Sequence, residues 1–259
     1  LGYAVEWRVI NAAEYGMPQR RRRVFFIGYH KSTNIYKRLQ NSNKADWITK
    51  EGTVAAALPV ILSNSIQEFY LKGDLIEITN EFNKTGKISP FLNTGLMING
   101  KVYTTKTEPN YNGQKTVLGD ILQNGEVNSD FFINEVDKLR WEYLKGAKKE
   151  KRRTKKGFEY NYTEGAMIYP DSLDNASRTI ITGEGGKSPS RFKHVVNTKR
   201  GLRRLTPIEL ERLNMFPDNH TKLEGISDSK RAFFMGNALV IGIVEKIGKE
   251  FYKKIKHVK

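Results

Sequence analysis

The chain has 259 residues, 38% of them hydrophobic, which is enough for one large core or two smaller ones. Its 44 Lys and Arg outnumber its 28 Asp and Glu, which gives a formal net charge of +16. This charge predicts a polyanionic partner, with nucleic acid favoured over an anionic membrane surface. The alternative is a surface that is rich in lysine without a polyanionic partner. The sequence has no cysteine, which excludes disulfides, thiolate metal sites and a Cys nucleophile within these residues. It has no apolar stretch of about 18 residues and no opening signal peptide, and we therefore predict a soluble intracellular protein.

The first thirty residues predict two strands joined by a turn. In "YAVEWRVI", residues 3–10, apolar side chains alternate with Glu6 and Arg8, which is typical of a half-buried strand with its charges outward. "VFFIG", residues 24–28, is typical of a fully buried strand in a sheet covered by helices on both faces. We interpret the pair as the tail of an α/β domain, and Leu rather than Met at position 1 suggests a piece of a longer polypeptide.

The middle of the chain gives weaker signals. "LMINGKVY" predicts a hairpin in which Asn99 and Gly100 supply the two positive φ angles of a type I′ turn. "TVLGDILQNG", residues 116–125, suggests a short helix. "KGAKKEKRRTKKG", residues 145–157, predicts either a mobile, solvated loop or a loop lying along a phosphate backbone.

"SRTIITGEGGKSPSRFKH", residues 177–194, predicts a short strand over residues 179–182 that opens into a loop rich in Gly and Ser. Small residues allow close approach of a backbone to another surface, and the Ser, Lys and Arg side chains offer donors to a polyanion. An ordinary Gly-rich surface turn is the alternative.

The C-terminal part has the most regular pattern. Thr206 is a natural N-cap, Pro207 suits the first helical position, and Glu209 completes a capping box for a helix that ends before Pro217. From residue 233 onward apolar residues recur at helical spacing, which predicts one final helix packed against the two opening strands.

Three motifs follow one another around a long variable segment: Gln-x-Arg-x-Arg at Gln19, Arg21 and Arg23, then "RRLTPIELERLNMFPD", then "GNALV", residues 236–240. In this order they resemble the eighth, ninth and tenth sequence blocks of the DNA cytosine-5 methyltransferases. The resemblance covers residues 1–30 and 175–259. The segment between falls where the family has its variable target-recognition domain.

The resemblance implies an α/β fold: the C-terminal portion of a Rossmann-like, S-adenosylmethionine-dependent methyltransferase domain plus a small, mostly β or irregular target-recognition domain. It assigns residues 1–122 to terminal strands of the catalytic domain with a variable insertion, 123–200 to target recognition, and 201–259 to a hinge and a C-terminal helix returning to the catalytic domain. The family's cofactor glycine loop, Pro-Cys nucleophile and Glu-Asn-Val block are not in this sequence. We therefore predict that this chain alone is inactive and that an N-terminal catalytic segment or subunit supplies them.

By the same resemblance, Arg23 reaches O2 of a cytosine flipped out of the duplex and the adjoining phosphate, while Arg21 and Gln19 shape that pocket. Because side chains alternate along a strand, Arg21 and Arg23 are predicted to share a face, with Arg20 and Arg22 on the other. The candidate S-adenosylmethionine contacts are Gly236, Asn237 and Ala238. The alternative for Gly236 is that it merely allows close packing.

Sequence-specific reading of duplex DNA is assigned to the segment from about residue 125 to 200, and the candidate contacts are basic and hydroxyl side chains. The candidates are Arg178, Thr179, Lys187, Ser190, Arg191, Lys193 and Arg204. Arg204 has a second interpretation as an anchor between domains, and Arg212 is expected to pair with a carboxylate. The four histidines lack metal-ligand spacing, so no metal is expected.

The predicted function is therefore the C-terminal segment of a DNA cytosine-5 methyltransferase that acts on double-stranded DNA with S-adenosylmethionine, in the prokaryotic cytoplasm at the nucleoid. Its setting is restriction–modification, with an orphan methyltransferase as the alternative that the sequence leaves open. The alternative is a non-catalytic DNA-binding protein on the same scaffold. An unrelated RNA-binding protein has little support, because no aromatic sheet motif of the common RNA modules is present.

Overall fold

The computed structural model describes residues 1–81 and 89–256 and has the predicted mixed α/β fold. The strands are β1 (Tyr3–Asn11), β2 (Arg22–His30), β3 (Val60–Leu62), β4 (Gln67–Tyr70), β5 (Thr94–Ile98), β6 (Lys101–Thr105), β7 (Thr107–Pro109), β8 (Lys148–Arg153), β9 (Glu159–Glu164), β10 (Val195–Thr198) and β11 (Gly201–Arg204). The helices are α1 (Asn34–Asn41), α2 (Lys44–Asp46), α3 (Thr53–Ala57), α4 (Leu75–Glu81), α5 (Glu135–Lys145), α6 (Pro207–Leu213), α7 (Asp228–Asn237) and α8 (Ile241–Lys256).

The chain divides into two compact units that alternate along the sequence. Unit 1 holds the described residues of 1–16, 22–114 and 242–259, and unit 2 holds residues 17–21 and 115–241. The predicted divisions at residues 122 and 200 do not coincide with these boundaries, so the functional assignment of each segment stays a prediction. None of the described helices is long and apolar enough to cross a membrane.

Unit 1 is built on a five-stranded sheet in the order β2-β1-β5-β6-β4, with antiparallel neighbours throughout. The predicted hairpin is confirmed: β5 and β6 are joined by Asn99 and Gly100, whose φ angles are 50° and 73°. Those two positive values match the right-handed twist of the flanking strands.

The alternation predicted in β1 is present, but the charged face is the buried one. Glu6 accepts hydrogen bonds from Trp47 Nε1 at 2.9 Å and from Val54 N at 2.9 Å. Arg8 donates to the carbonyl oxygens of Ile48 at 2.7 Å and Leu58 at 2.8 Å. The outward placement of these charges was wrong because segments distant in sequence satisfy both of them, which offsets the cost of burial.

The prediction that "VFFIG" is a fully buried strand is wrong. β2 is an edge strand of the sheet, and the side chains of Val24 and Phe26 are 47% and 66% exposed. Together with Trp7, Val9, Phe91 and Leu92 they line an apolar cavity of about 430 Å³. Among the described residues of unit 1, helices therefore do not cover both faces of this apolar strand.

The predicted single C-terminal helix is two helices, α7 and α8, with a break at residues 238–240. Asn214 explains the break, because its Nδ2 donates to Met235 O at 2.8 Å and its carbonyl accepts Ile241 N at 2.9 Å. The end of α7 and the start of α8 are thus bonded to another segment instead of to each other. Within unit 1, α8 packs as predicted on an opening strand, with the Phe251 ring 6.3 Å from that of Tyr29.

The core of unit 2 surrounds α6 and α7. Its buried residues include Leu118, Ile180, Leu210, Leu213 and Met235. The predicted start of α6 is confirmed in the structure, with Thr206 as N-cap, Pro207 in the first turn and Glu209 closing a capping box. The stretch predicted as a short helix forms one 3₁₀ turn, Leu118–Ile121.

Two local predictions in unit 2 were wrong. The basic run predicted as a mobile loop forms strand β8, which pairs with β9 over all six of its residues. The predicted strand over residues 179–182 is not formed: residues 179–181 have no regular secondary structure, and the nearest bridge, between Ser177 and Gln19, lies before them. In both cases the pairing partner decides the structure, and no partner is visible in the local pattern.

Candidate functional site

Residues 17–21 include Gln19 and Arg21 of the Gln-x-Arg-x-Arg motif. They run parallel to residues 177–180 of unit 2. Arg20 N donates to Ser177 O at 2.7 Å, and Ser177 N donates to Pro18 O at 2.8 Å. The Thr179 hydroxyl donates to the carbonyl of Arg20. The segment proposed for DNA contact therefore pairs with the first residues of the motif.

Gln19 is fully buried and connects the motif to the end of α6. Its Nε2 donates to Leu213 O at 2.9 Å and to Asn214 Oδ1 at 2.6 Å. Its Oε1 accepts Ile180 N at 3.4 Å. Because its donors and its acceptor are all used inside the protein, Gln19 is a structural link between these segments of unit 2.

Arg21 is also buried, and it connects the motif to the end of α7. Its Nη2 donates to Gly236 O at 2.8 Å and its Nη1 to Ile180 O at 3.4 Å. Strand β2 begins at Arg22, one residue after Arg21. The prediction that Arg21 and Arg23 share a face assumed that both lie on one strand, and Arg21 does not lie on β2.

Arg23 lies on β2 and is exposed. Its Nη1 donates to the carbonyl of its neighbour Arg22 at 2.7 Å. The other N–H groups of its guanidinium have no protein partner in the part of the chain that the structure describes. Of the three predicted catalytic residues, Arg23 is thus the one with donors open to a ligand.

The three predicted cofactor residues lie where α7 ends. A Cβ on Gly236 would lie 2.4 Å from Thr182 N, so close packing alone requires glycine there. Asn237 is exposed and donates from Nδ2 to Phe233 O at 3.1 Å, while its Oδ1 accepts no hydrogen bond from the described residues. Ala238 is half-buried and caps the helix in an extended conformation.

A buried polar network braces the loop of residues 183–194. His194 Nδ1 lies 2.9 Å from Glu184 Oε1, its N donates to Glu184 Oε2 at 2.9 Å, and its Nε2 lies 3.0 Å from Ser177 Oγ. Burial raises the pKa of Glu184, but the charge and hydrogen bonds of His194 outweigh it and hold that pKa below its usual value. Because all three side chains are buried, Ser177 is not presented to a substrate and the network is structural.

Several residues predicted to contact DNA are bound within unit 2. Arg178 donates to both carboxylate oxygens of Asp171, at 2.6 and 3.0 Å. Lys193 donates to the carbonyls of Gly186 at 2.8 Å and Ser188 at 2.6 Å. These bonds fix the shape of the loop and leave the two cations few donors for another molecule.

Arg191 and Arg204 are bound in the same way. Arg191 Nε lies 2.9 Å from Glu164 Oε1, and its Nη1 donates to Leu144 O at 3.1 Å. Arg204 donates to Asp130 O at 2.7 Å and to Gly185 O at 3.3 Å. These contacts join segments within unit 2, and both interpretations of Arg204 stay predictions.

Three of the predicted DNA contacts remain accessible. Lys187 is exposed and pairs with the exposed carboxylate of Asp130, at 2.7 Å. Ser190 is half-buried, and its Oγ accepts Phe192 N at 3.3 Å. Thr179 is also half-buried.

The sequence analysis missed Arg203, Asp171 and the pair of Glu184 and His194. Arg203 donates to both oxygens of the buried Glu209 carboxylate, at 2.8 and 2.6 Å. No local signal identifies these residues, because they are charged side chains in loops or short strands and show no periodicity. The predicted carboxylate partner of Arg212 is Asp218, with two bonds of 2.7 Å.

Comparison with known proteins defines the class of this chain. A family model described as C-5 cytosine-specific DNA methylase matches residues 1–253. The fold agrees, because the structure of the S. pombe Dnmt2 methyltransferase superposes with a TM-score of 0.50 at 10% identity, over 98% of this chain and 59% of that chain. The chain belongs to the C-5 cytosine-specific DNA methylase family.

Two curated relatives specify the resemblance further. The chain is 41% identical to the Type II methyltransferase M.Sau3AI of Staphylococcus aureus over 98% of this chain and 60% of that protein. It is 22% identical to the Type II methyltransferase M.HpaII of Haemophilus parainfluenzae over 98% of this chain and 52% of that protein. The chain therefore spans a little more than half the length of these relatives.

Proposed function

We propose that this chain is the C-terminal segment of a DNA cytosine-5 methyltransferase and supplies target recognition, the pocket for a flipped cytosine and part of the S-adenosylmethionine site. One observation carries the proposal. Gln19 and Arg21 of the first motif bond directly to residues 213–214 and 236, at or beside the two later motifs of the family. Gln19 and Arg21 of the first motif therefore form one hydrogen-bonded framework with the two later motifs in unit 2.

Arg23 is the residue of this chain that we assign to the chemistry. Cytosine C5 is a weak nucleophile, and addition of a thiolate at C6 makes it reactive while negative charge builds on the N3 and O2 side of the ring. The open guanidinium of Arg23 can donate to O2 and to a phosphate together, which a lysine does less well. A donor placed there stabilises the developing charge by about 3–4 kcal/mol. The thiolate comes from outside these residues, since they contain no cysteine.

Asn237 is the residue that best fits the methyl donor. S-adenosylmethionine, when bound, supplies an electrophilic methyl group and presents an amino group in its methionine part. The free Oδ1 of exposed Asn237 can accept a hydrogen bond from such an amine. Arg21, through Gly236, and Asn214, through Met235, hold the end of α7 that presents Asn237.

Recognition of duplex DNA is proposed for the loop of residues 183–194. Lys187 and Ser190 are its accessible side-chain donors, and we assign contact with DNA to them and to Thr179, which precedes the loop. Arg178, Arg191, Lys193 and Arg204 maintain the loop by binding its carbonyls and neighbouring carboxylates. This division of roles is a refinement of the expectation that all seven contact DNA.

Complementation tests the proposal. The chain is mixed with an N-terminal fragment of M.Sau3AI that carries the missing blocks, and transfer of tritiated methyl to duplex DNA is measured. We expect transfer from the pair and none from either part. A pair that assembles and binds duplex DNA without any transfer supports the alternative of a non-catalytic DNA-binding protein.

The role of Arg23 is tested in the same complemented enzyme. Arg23→Ala is expected to lower turnover at least a hundredfold while duplex affinity falls less than tenfold. Arg22→Ala, which removes the neighbouring exposed guanidinium, is the matched control and should leave turnover within a few-fold. Equal losses of turnover and affinity in Arg23→Ala would restrict Arg23 to phosphate binding.

The biological setting follows from the relatives. Both curated relatives are named Type II methyltransferases, and we propose that this chain likewise belongs to the modification arm of a restriction–modification system. Bisulfite sequencing of the host's DNA tests this. Methylcytosine at one fixed short sequence is expected, and unmethylated host DNA would contradict the proposal.

A further inference from the structure

The β8–β9 hairpin of unit 2 has two different faces. In its register Lys148 pairs with Glu164, Glu150 with Tyr162, and Arg152 with Tyr160, so even-numbered side chains share one face and odd-numbered side chains the other. This alternation sorts the basic residues into two groups. The two groups have different surroundings.

The side chains of the even-numbered face bond to one another and to α5, although Arg152 and Tyr160 near the tip are exposed. Lys148 is buried and donates to Glu164 at 3.0 Å. Arg152 lies 3.5 Å from the centre of the Tyr162 ring and donates to Glu150 at 3.1 Å. Glu150 in turn accepts the hydroxyl of Tyr143 from α5 at 2.6 Å. This face seats the hairpin on α5.

The odd-numbered face is open. It carries Lys149, Lys151 and Arg153 on β8, opposite Thr163, Asn161 and Glu159 on β9, and all six residues are exposed. In the described part of the chain, no hydrogen bond or ion pair involves the side chains of Lys149, Lys151, Asn161 or Thr163. Three cations and two uncharged polar groups thus face solvent, with a single carboxylate at the far end.

The turn extends the same charge. Lys155 and Lys156 are exposed at the tip, beside Gly157 with a φ of 86°. Residues 148–156 hold seven basic residues and one acidic residue. Such a density of cations along one ribbon, with Lys149 and Lys151 unpaired among the described residues, is a site for a polyanion.

We propose that the odd-numbered face of the β8–β9 ribbon is a DNA-contacting surface that enters the major groove. A two-stranded ribbon fits that groove, and six-residue strands extend about 20 Å, or several base pairs. Lys149 and Arg153 reach the phosphates. Lys151 and its cross-strand partner Asn161 lie centrally and meet base edges, where lysine and asparagine match the acceptors and donors of purines. This inference rests on the proposed function and adds a second contact surface to the loop of residues 183–194.

The absence of cysteine gives a direct test, since a single Cys variant carries one thiol. In Asn161→Cys we expect duplex DNA to slow maleimide alkylation at least tenfold. Lys37→Cys, exposed on α1, is the control and should change less than twofold. Equal alkylation of the Asn161→Cys variant with and without DNA, or equal slowing in both variants, would overturn the proposal.

Charge removal gives a second test. Lys149→Gln with Lys151→Gln is compared with Lys37→Gln with Lys246→Gln, which removes the same charge from exposed sites of unit 1. We expect the ribbon variant to lose at least tenfold in duplex affinity while its melting temperature stays unchanged. The slope of log affinity against log salt concentration should become smaller by about one for each lost phosphate contact. The control variant should change less than twofold.

The outcomes separate the two proposals. If the unsubstituted chain binds no duplex DNA, the proposed function fails and this inference fails with it. If the unsubstituted chain binds duplex DNA and the ribbon variant binds equally well, only the ribbon inference fails. Preferential binding of single-stranded RNA by the ribbon would also overturn it.

Discussion

At the scale of single residues, charge is buried where a matched partner is available. Glu209 shows this in unit 2, because its carboxylate accepts Arg203 twice, at 2.8 and 2.6 Å, and also accepts Gln123 N and Thr206 N at 2.9 Å each. Arg212 and Asp218 form a pair of the same two-bond geometry at the surface. The two pairs differ mainly in their access to water.

We therefore predict that Glu209→Gln destabilises the chain by about 3–5 kcal/mol, because it leaves the Arg203 charge buried without its counter-ion. Asp218→Asn is the control and should cost less than about 1 kcal/mol, since water screens that pair. Urea unfolding measures both. Equal losses in the two variants would show that burial does not govern these pairs.

A second prediction concerns Lys145, which is buried and donates to the carbonyl of Lys193. Burial, together with the positive charge of Arg178, lowers its pKa to about 8. The pKa of a lysine in an unfolded chain is near 10.4. Between about pH 8 and 10 the Lys145 amine is therefore more protonated in the unfolded chain than in the folded one. Because of this difference, the group makes the free energy of unfolding rise with pH.

Lys145→Met removes this dependence. We compare the free energy of unfolding of the variant with that of the unsubstituted chain. The value for the variant minus the value for the unsubstituted chain should be largest at pH 7 and about 2 kcal/mol smaller at pH 10. Denaturant titrations at the two pH values measure it. A difference that stays constant with pH would show that Lys145 titrates normally in the folded chain.

At the scale of secondary-structure elements, two glycines test what backbone conformation contributes. Gly248 lies inside α8, and a Cβ there would meet nothing within 4 Å. Gly100 forms the β5–β6 turn with a φ of 73°, where a Cβ would meet only Leu71 O at 3.6 Å. Neither substitution by alanine is opposed by crowding, so only the backbone preference differs.

Gly248→Ala should stabilise the chain by about 0.5–1 kcal/mol, because alanine loses less backbone entropy in a helix. Gly100→Ala should destabilise it by about 1 kcal/mol, because alanine disfavours a positive φ. Thermal unfolding of the two variants measures the signs. A stabilising Gly100→Ala would contradict the assigned turn conformation.

At the scale of the whole molecule, we expect the formal charge of +16 to govern the proposed association with DNA. If six or more phosphates are contacted, raising salt from about 50 to 200 mM should weaken duplex binding by roughly a thousandfold, because bound counter-ions are released. Fluorescence anisotropy at several salt concentrations measures the slope. A loss below tenfold would indicate that the charge is a general surface property and not a DNA-binding footprint.

How far the sequence could predict the site differs from residue to residue. The motif order predicted the family, and that prediction is confirmed over residues 1–253. The roles within the Gln-x-Arg-x-Arg motif could not be separated, because Arg21 and Arg23 differ only in what surrounds them in the fold. Arg21 is bound by carbonyls of residues 180 and 236, whereas Arg23 keeps open donors.

The sequence by itself determined the features that depend on neighbours within a few residues: the capping box of Thr206 and Glu209, the turn of Asn99 and Gly100, and the net charge. Tertiary structure decided the burial of Glu6 and Arg8, the pairing of the β8–β9 ribbon and the break between α7 and α8. In each of these the hydrogen-bond partners lie beyond the local pattern, on other segments. Only folding brings such partners close enough to offset the cost of desolvating a charge or leaving a backbone group unpaired.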